Sequence, residues 1–255
     1  MNYCYCLNPN CLQRENAIAK DNCASCGWSL LLADRYRPLR PIGQGSFGRT
    51  YLAVDEHLPS KPYCVIKQFL IENSATAAKL FEEEAERLKT LGSHPQIPSL
   101  IDYVEQQEQR YIVQEYIAGQ NLEQELVASG AKSEEQVRQM LLNILPVLSF
   151  VHRNHVIHRD IKPENIIRRD RDRELVLVDF GAAKYATGTA LAHTGTTIGT
   201  AAYVAPEQVA GKATFASDLY SLGVTCIHLL TEIEPFDLYS TSEDRWVWRN
   251  GTKIS

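Results

Sequence analysis

Several features that define whole classes of proteins are missing from this chain. It has no apolar run approaching the ~18 residues of a membrane-spanning helix. Its first residues, Met1 to Cys11, lack the basic and then apolar pattern of a secretion signal. It has no basic surplus, and a net charge of -5 argues against nucleic-acid binding as its main function. A cytoplasmic, reducing location is expected, in which the seven cysteines are thiols or metal ligands rather than disulfides.

Five of those cysteines fall within residues 4–26. Two pairs are separated by four and by two residues, and these are Cys6 with Cys11 and Cys23 with Cys26. Such pairs can place four thiolates around one tetrahedral zinc ion, and so short a segment would need the metal to fold. The pattern resembles a zinc ribbon over residues 1–33. Two alternatives stay open: Cys4 could replace Cys6 as a ligand, or the cysteines could be free, redox-active thiols.

A charged loop between two apolar segments is the strongest feature of the remaining sequence. It reads His158-Arg159-Asp160-Ile161-Lys162-Pro163-Glu164-Asn165. Pro163 fixes its own φ and moves Lys162 out of the helical region, which predicts a loop. Four of its side chains are charged and would be costly to bury unpaired. A charged loop held between buried segments is a typical location for a functional site.

These residues resemble the catalytic loop of eukaryotic-type (Hanks-type) protein kinases, in which H-R-D, four residues and N follow one another. Asp160 and Asn165 have the spacing of that family. Two further triplets of the family follow in its order, Asp179-Phe180-Gly181 and Ala205-Pro206-Glu207. The resemblance covers residues 36 to about 240, and it is closest in character to bacterial members of the family.

The resemblance implies an α+β kinase fold of two lobes over residues 34–255. An antiparallel β N-lobe with one helix (34–117) would precede a mainly helical C-lobe (118–255). No Gly/Ser/Pro-rich spacer lies near residue 34, so little or no flexible linker is expected after the cysteine module. Family members continue through several more helices. The C-lobe is therefore expected to be incomplete, as a fragment, as a natural truncation, or as a protein completed by a partner.

Without those helices, part of the C-lobe surface would be left uncovered. The expected apolar patch invites association and consists of Leu229, Leu230, Phe236, Trp246 and Trp248.

A glycine-rich stretch, G-x-G-x-x-G, begins at Gly43. The alternating, strand-forming residues 50–54 follow it, so the glycines are predicted to join two strands, whereas a dinucleotide fold would have a helix there. Such a hairpin can bring backbone N–H groups close to phosphates. The resemblance implies ATP binding by this hairpin, by a second strand and by the backbone of a hinge. The residues concerned are Ile42, Gly43, Gln44, Gly45, Ser46, Phe47, Gly48, Thr50, Val65, Lys67, Glu115 and Ile117.

The resemblance assigns the chemistry to a small set of side chains. Asp160 would accept or orient the proton of the attacking hydroxyl, and Lys162 would offset charge on the migrating phosphoryl group. Asp179 and the side-chain oxygen of Asn165 would hold Mg²⁺, which prefers oxygen ligands. Lys162 is typical of the branch that is specific for serine and threonine, so the expected substrates are ATP and proteins with Ser/Thr hydroxyls.

Three more residues would support this set. Lys67 would contact the α- and β-phosphates of the nucleotide. Glu84, in a helix predicted over residues 76–91, would pair with Lys67, although Glu83 is a rival by spacing. Thr200 would bond the catalytic aspartate and lysine.

Between Gly181 and Ala205 the chain is rich in Thr, Gly and Ala and resembles an activation segment. Arg159 could pair with a phosphate there, with Thr196 or Thr197 as the favoured target. Asp218 would hold the backbone of the catalytic loop. Two other interpretations remain: a nucleotide-binding scaffold that signals by protein contact, and a kinase gated by redox-active cysteines.

Overall fold

The computed structural model of this protein describes two compact units. The first unit consists of Met1–Lys89 with Ser99–Tyr116, and the second of Thr90–Pro98 with Ile117–Ser255. The described residues are 2–45, 48–69, 82, 85–180, 202–240 and 245–248.

A five-stranded antiparallel sheet forms the centre of the first unit. Its strands are β3 Tyr36–Gly45, β4 Gly48–Asp55, β5 Tyr63–Phe69, β6 Leu100–Gln106 and β7 Gln109–Glu115. They lie side by side in the order β3-β4-β5-β7-β6. The hairpin of β3 and β4 ends with Gly45 opposite Gly48, so the glycine-rich stretch joins two strands as predicted. Directly opposed residues point to one face of a sheet, and Lys67 therefore shares a face with Thr50 and Ile112. Residues 85–91 are helical, within the helix predicted over 76–91.

The opposite face of this sheet is apolar and is covered by residues that precede it in the chain. Tyr51, Ile66 and Tyr111 are almost completely buried and form one cluster with Leu7 and Leu32. Full burial of a large apolar side chain stabilises the fold by ~1.5–3 kcal/mol. Residues 1–33 thus share the hydrophobic core of the sheet.

The cysteine segment itself contains one antiparallel pair of strands, β1 Tyr3–Tyr5 and β2 Glu15–Ala17. A tight turn connects the segment to β3. In this turn Ala33 and Asp34 both have positive φ, and Leu32 and Tyr36 exchange backbone hydrogen bonds of 2.9 Å. The absence of a flexible linker and the domain boundary near residue 34 stay predictions.

The second unit is built mainly from helices. Its helices are α1 Leu122–Ser129, α2 Glu134–Arg153, α3 Pro206–Val209 and α4 Phe215–Thr231, with 3₁₀ turns at Pro163–Asn165 and Pro235–Leu238. Its strands are β8 Gly119–Asn121, β9 Ile166–Arg169, β10 Leu175–Leu177, β11 Tyr239–Ser240 and β12 Arg245–Trp246. The first three of these form one antiparallel sheet in the order β10-β9-β8.

The sequence explains where the long helix α2 begins and which side it buries. Ser133 accepts a hydrogen bond from the backbone N–H of Gln136, whose side chain accepts from the Ser133 N–H in return. This capping box satisfies two N–H groups that a helix leaves without partners. The buried positions recur at helical spacing and are Val137, Met140, Ile144, Val147, Leu148 and Val151.

The expected apolar patch of the second unit is only partly exposed. Phe236 is 50% exposed and Trp246 is 38% exposed. Leu229, in contrast, is buried with 1% exposure, and its backbone carbonyl accepts a hydrogen bond of 2.7 Å from the Lys132 N–H. The prediction that Leu229 is exposed was therefore wrong. Among the described residues, none of the helices has the length and apolar character needed to cross a bilayer.

Candidate active site

Asp218, near the start of α4, fixes the backbone of the predicted catalytic loop. Its side chain is fully buried. Its Oδ1 accepts from the Arg159 N–H at 2.8 Å, and its Oδ2 accepts from the His158 N–H at 2.9 Å and lies 2.7 Å from the His152 Nε2. Arg159 has a φ of +68°, an unfavourable conformation for a residue with a side chain. The carboxylate of Asp218 therefore holds a strained turn directly before Asp160, which confirms the role predicted for it.

Asp160 and Asn165 are brought into direct contact by this loop. The Asn165 amide donates to the Asp160 carbonyl oxygen and to the Asp160 Oδ2, both at 2.8 Å. Both side chains belong to the buried polar residues of the chain. Because both N–H bonds of the amide point to Asp160, the amide oxygen of Asn165 is the atom that can hold a cation. The Lys162 Nζ lies 3.6 Å from the Asp160 Oδ2.

His158 connects this loop to the segment that carries Asp179. Burial lowers the pKa of His158, which favours a neutral ring. Its Nδ1 accepts from the Asp160 N–H at 3.3 Å, so its Nε2–H is left to donate to the Val178 carbonyl at 3.1 Å. The Val178 N–H in turn donates to the Asn165 carbonyl at 2.9 Å. Asp179 therefore follows a residue that is bonded to both ends of the loop, and its carboxylate is exposed.

Among the nucleotide-binding residues predicted on strands, Thr50, Val65 and Lys67 lie on one face of the first unit's sheet. Gln44 and Glu115 lie on the other face, because they are opposite Arg49 and Cys64. Lys67 on β5 is opposite Thr50 on β4, and Val65 on β5 is opposite Gln114 on β7. Position 48 requires glycine, because a side chain there would collide with the backbone carbonyl of Gln68, the residue after Lys67. Only glycine allows the hairpin to approach β5 this closely.

Glu115, the first of the two predicted hinge residues, ends β7. Its carboxylate accepts hydrogen bonds from the backbone N–H and the hydroxyl of Ser99 at 3.3 and 3.2 Å. Ile117 is buried. Several predicted residues lie outside the described part of the chain, namely Ser46, Phe47, Glu83, Glu84, Thr196, Thr197 and Thr200.

Residues 36–253 match the protein kinase domain family. The chain belongs to this family.

Two relatives and one solved structure illustrate the match. The chain is 44% identical over 252 residues to serine/threonine-protein kinase B of Synechocystis sp., covering 94% of this chain and 44% of that protein. It is 45% identical over 219 residues to serine/threonine-protein kinase PknA of Nostoc sp., covering 82% of this chain and 39% of that protein. The crystal structure of Rad53 1-466 in complex with AMP-PNP matches with a TM-score of 0.61 and 27% identity, over 81% of this chain and 50% of that chain. The chain thus spans half or less of each of these proteins.

The family match confirms the predicted α+β kinase fold. The structure adds supporting residues of the kinase chain that sequence reasoning missed. The Gln208 amide donates to the Arg159 carbonyl at 2.8 Å, so Arg159 is held at its carbonyl as well as at the N–H that Asp218 binds. The Gln96 amide donates to Asn143 and to the Leu175 carbonyl at 2.9 and 2.8 Å. A glutamine carries no local sequence signal for such distant partners.

The cysteine segment of the kinase chain brings four sulfur atoms together. The Sγ atoms of Cys6 and Cys26 are 3.6 Å apart, those of Cys11 and Cys23 are 3.7 Å apart, and all four lie within 4.8 Å of one another. Disulfides require ~2 Å. Four sulfurs at ~2.3 Å from a tetrahedral zinc ion would be ~3.8 Å apart, so the donor set fits zinc. Cys4 lies outside this group, with its Sγ 3.7 Å from the Ala17 carbonyl.

The surroundings of these sulfurs also suit a metal. Burial raises the pKa of the Cys6 and Cys11 thiols. Burial acts in the same direction on Cys23, but hydrogen bonds from the backbone of Cys26 and Ser25 and from the side chain of Asn16 outweigh it and lower the pKa of Cys23 to about 6. Thiolates are the form that binds metal ions, so the site favours a charged sulfur at Cys23.

Proposed function

We propose that this chain is an ATP-dependent serine/threonine protein kinase domain. It transfers the γ-phosphoryl group of Mg-ATP to Ser and Thr hydroxyls of protein substrates, in signal transduction. The observation that carries the proposal is the direct contact of Asp160 with Asn165 on a loop that Asp218 and His158 hold in place. That contact joins the Asp160 carboxylate to the amide nitrogen of Asn165 and leaves the amide oxygen to hold a cation, so a proton acceptor and a metal ligand lie on the same loop.

In this proposal each residue has one task. Asp160 accepts or orients the proton of the incoming hydroxyl, and the nearby Lys162 offsets the negative charge of the phosphoryl group. Asp179 and the Asn165 oxygen would hold Mg²⁺, which neutralises phosphate charge when it is bound. Lys67, supported by Glu84, positions the α- and β-phosphates.

The rest of the nucleotide would be held by backbone and strand residues. Thr200 would bond Asp160 and Lys162, the hairpin from Ile42 to Thr50 would cover the phosphates, and Val65 would line the adenine site. The Glu115 carbonyl and the Ile117 N–H would bind the adenine edge.

The test is transfer of radiolabelled γ-phosphate from ATP to a generic protein substrate by the purified, cooperatively melting chain. Label on serine or threonine, lost on removal of Mg²⁺, is expected. Nucleotide binding without any transfer would instead establish the alternative, a catalytically weak scaffold. A Leu142→Ala variant is a suitable control, because Leu142 is 64% exposed on α2 and has no part in the proposed chemistry.

We further propose that Cys6, Cys11, Cys23 and Cys26 hold one structural zinc ion. The spacing of their sulfurs supports this set over one that contains Cys4. The match to kinase B covers 94% of this chain and therefore part of residues 1–33 as well. Metal analysis together with a thiol titration tests the proposal: one zinc and four protected thiols are expected, whereas four reactive thiols without metal would favour redox-active cysteines.

Three finer points complete the proposal. A phosphate on Thr196 or Thr197 would pair with Arg159 and activate the enzyme. Unchanged activity after replacement of both threonines with alanine would refute it. The exposed Phe236 and Trp246 support a partner, or further residues of the same protein, that covers this surface. We place the protein in the cytoplasm, where its seven cysteines would stay reduced as thiols or metal ligands.

A further inference from the structure

The two faces of the first unit's sheet have different neighbours, and β5 contributes side chains to both faces. Lys67 points to the face that also carries Thr50 and Val65, two residues of the proposed nucleotide site. Its neighbour Gln68 points to the opposite face, because successive side chains of a strand alternate. That face is packed against the cysteine segment through Leu7 and Leu32. A displacement of Gln68 along or across the strand is therefore also a displacement of Lys67.

The Gln68 side chain is a polar group in a largely apolar cluster of buried residues. It is only 1% exposed. Its Nε2 donates to the Leu7 carbonyl at 2.7 Å, and its Oε1 accepts from the Tyr51 hydroxyl at 3.2 Å. The Tyr111 hydroxyl lies 3.5 Å from the same Nε2. A buried amide that loses these partners would carry an uncompensated desolvation cost, so the amide holds β5 at one position relative to the cysteine segment.

Two further contacts make this position relevant to the nucleotide. Leu7 directly follows Cys6, so the carbonyl that Gln68 binds belongs to the turn that would be fixed by the metal. The backbone carbonyl of Gln68 is the atom against which Gly48 packs at the end of the glycine-rich hairpin. The cysteine turn, the lysine strand and the hairpin therefore meet at one residue.

We propose that Gln68 is a positioning residue for phosphoryl transfer, through which the cysteine segment sets the place of Lys67 and of the hairpin on the nucleotide phosphates. The inference rests on the proposed kinase function. In this inference the cysteine segment affects nucleotide binding indirectly, through Gln68, and not through contacts of its own side chains with the nucleotide.

The chain provides a matched control for the experiment. Gln106, at the end of β6, also ties the cysteine segment to the sheet, because its side chain accepts from the Ala33 N–H at 2.8 Å and donates to the Leu31 carbonyl at 3.4 Å. It does not lie on the strand of Lys67. Gln68→Met and Gln106→Met thus each remove one amide bridge of the same kind, and only the first is adjacent to Lys67.

The measurement is the affinity for a non-hydrolysable ATP analogue in the full chain, well below the melting midpoint of each variant, together with KM for ATP and for the protein substrate. Gln68→Met should weaken nucleotide binding about tenfold, the factor that corresponds to ~1.4 kcal/mol or one hydrogen bond. KM for the protein substrate should be unchanged. Gln106→Met should change nucleotide affinity less than about twofold. A purely structural role would lower both melting temperatures without this difference.

Equal nucleotide affinities for the two variants would overturn the inference. A wild-type chain that binds no nucleotide would overturn the proposed function first, and the inference with it. If Gln68→Met does not fold, Tyr51→Phe decides the question, because it removes the hydroxyl donor of Gln68 and leaves the ring in place. Weaker nucleotide binding by Tyr51→Phe than by Gln106→Met supports the role, and wild-type binding refutes it.

Discussion

Replacement of Asp218 with asparagine would test whether a buried carboxylate holds the catalytic loop. The substitution keeps the size of the side chain and removes its charge. In the structure Oδ1 takes one backbone donor, from Arg159, while Oδ2 takes the His158 N–H and faces the His152 ring. Asparagine has only one oxygen, so at least one of the two backbone N–H groups would face an NH₂ group instead of an acceptor.

The size of the effect follows from these contacts. One hydrogen bond to a charged acceptor is lost, and one buried N–H group is left without a partner, which together cost ~3 kcal/mol. For a chain of this size that corresponds to a decrease in Tm of roughly 6–12 °C. The positive φ of Arg159 would no longer be held, so Asp160 would shift. A misplacement of ~1 Å would lower kcat about 100-fold.

Thermal unfolding and steady-state kinetics of Asp218→Asn would measure both effects. Asp237→Asn is the control, since Asp237 is an exposed aspartate of the same unit and the same substitution should leave Tm and kcat close to wild type. A Tm for Asp218→Asn that matches the control would refute the reasoning, because it would mean that the loop keeps its conformation without the carboxylate.

The other predictions concern the proton acceptor, the metal and the pH dependence. Asp160→Asn should abolish phosphoryl transfer but keep nucleotide affinity, measured with labelled ATP and by titration; undiminished turnover contradicts this. Cys6→Ser should lose bound zinc and Cys4→Ser should retain it, as measured by metal analysis, and the reverse result would make Cys4 the ligand. Hydrogen bonds from Arg35 lower the pKa of Asp55. Its stabilisation is therefore present above ~pH 4 and is lost as the pH falls through the lowered pKa. The stability of Asp55→Asn should accordingly fall less with decreasing pH than that of the wild type. An equal fall would contradict the stabilisation by the Asp55 carboxylate.

Features with a local cause could be predicted from the sequence. Asp160 and Asn165 are five positions apart on one loop, so their contact depends on few backbone angles and the motif identifies it. The capping box of Ser133 and Gln136 spans a single helical turn, so the residue types at these two positions predict it. The four cysteines were found because metal ligands require particular residue types at short spacings.

Features that depend on distant partners could not be predicted. Gln68 and Leu7 are 61 positions apart, and Gln96 and Leu175 are 79 apart. Neither glutamine differs from an ordinary strand or loop glutamine in its local sequence. Leu229 was expected on the surface because the helices that would cover it were expected to be missing, but it is buried in the structure. Tertiary contacts of this kind leave no periodic signal.

The apolar face of the sheet that packs against residues 1–33 has a practical consequence. The protein kinase motifs all lie after residue 33, so a shortened gene that starts there would retain every one of them. Its product, however, would turn Tyr51, Ile66 and Tyr111 toward water. Such a product should collect in inclusion bodies, because residues 1–33 complete the core of the sheet.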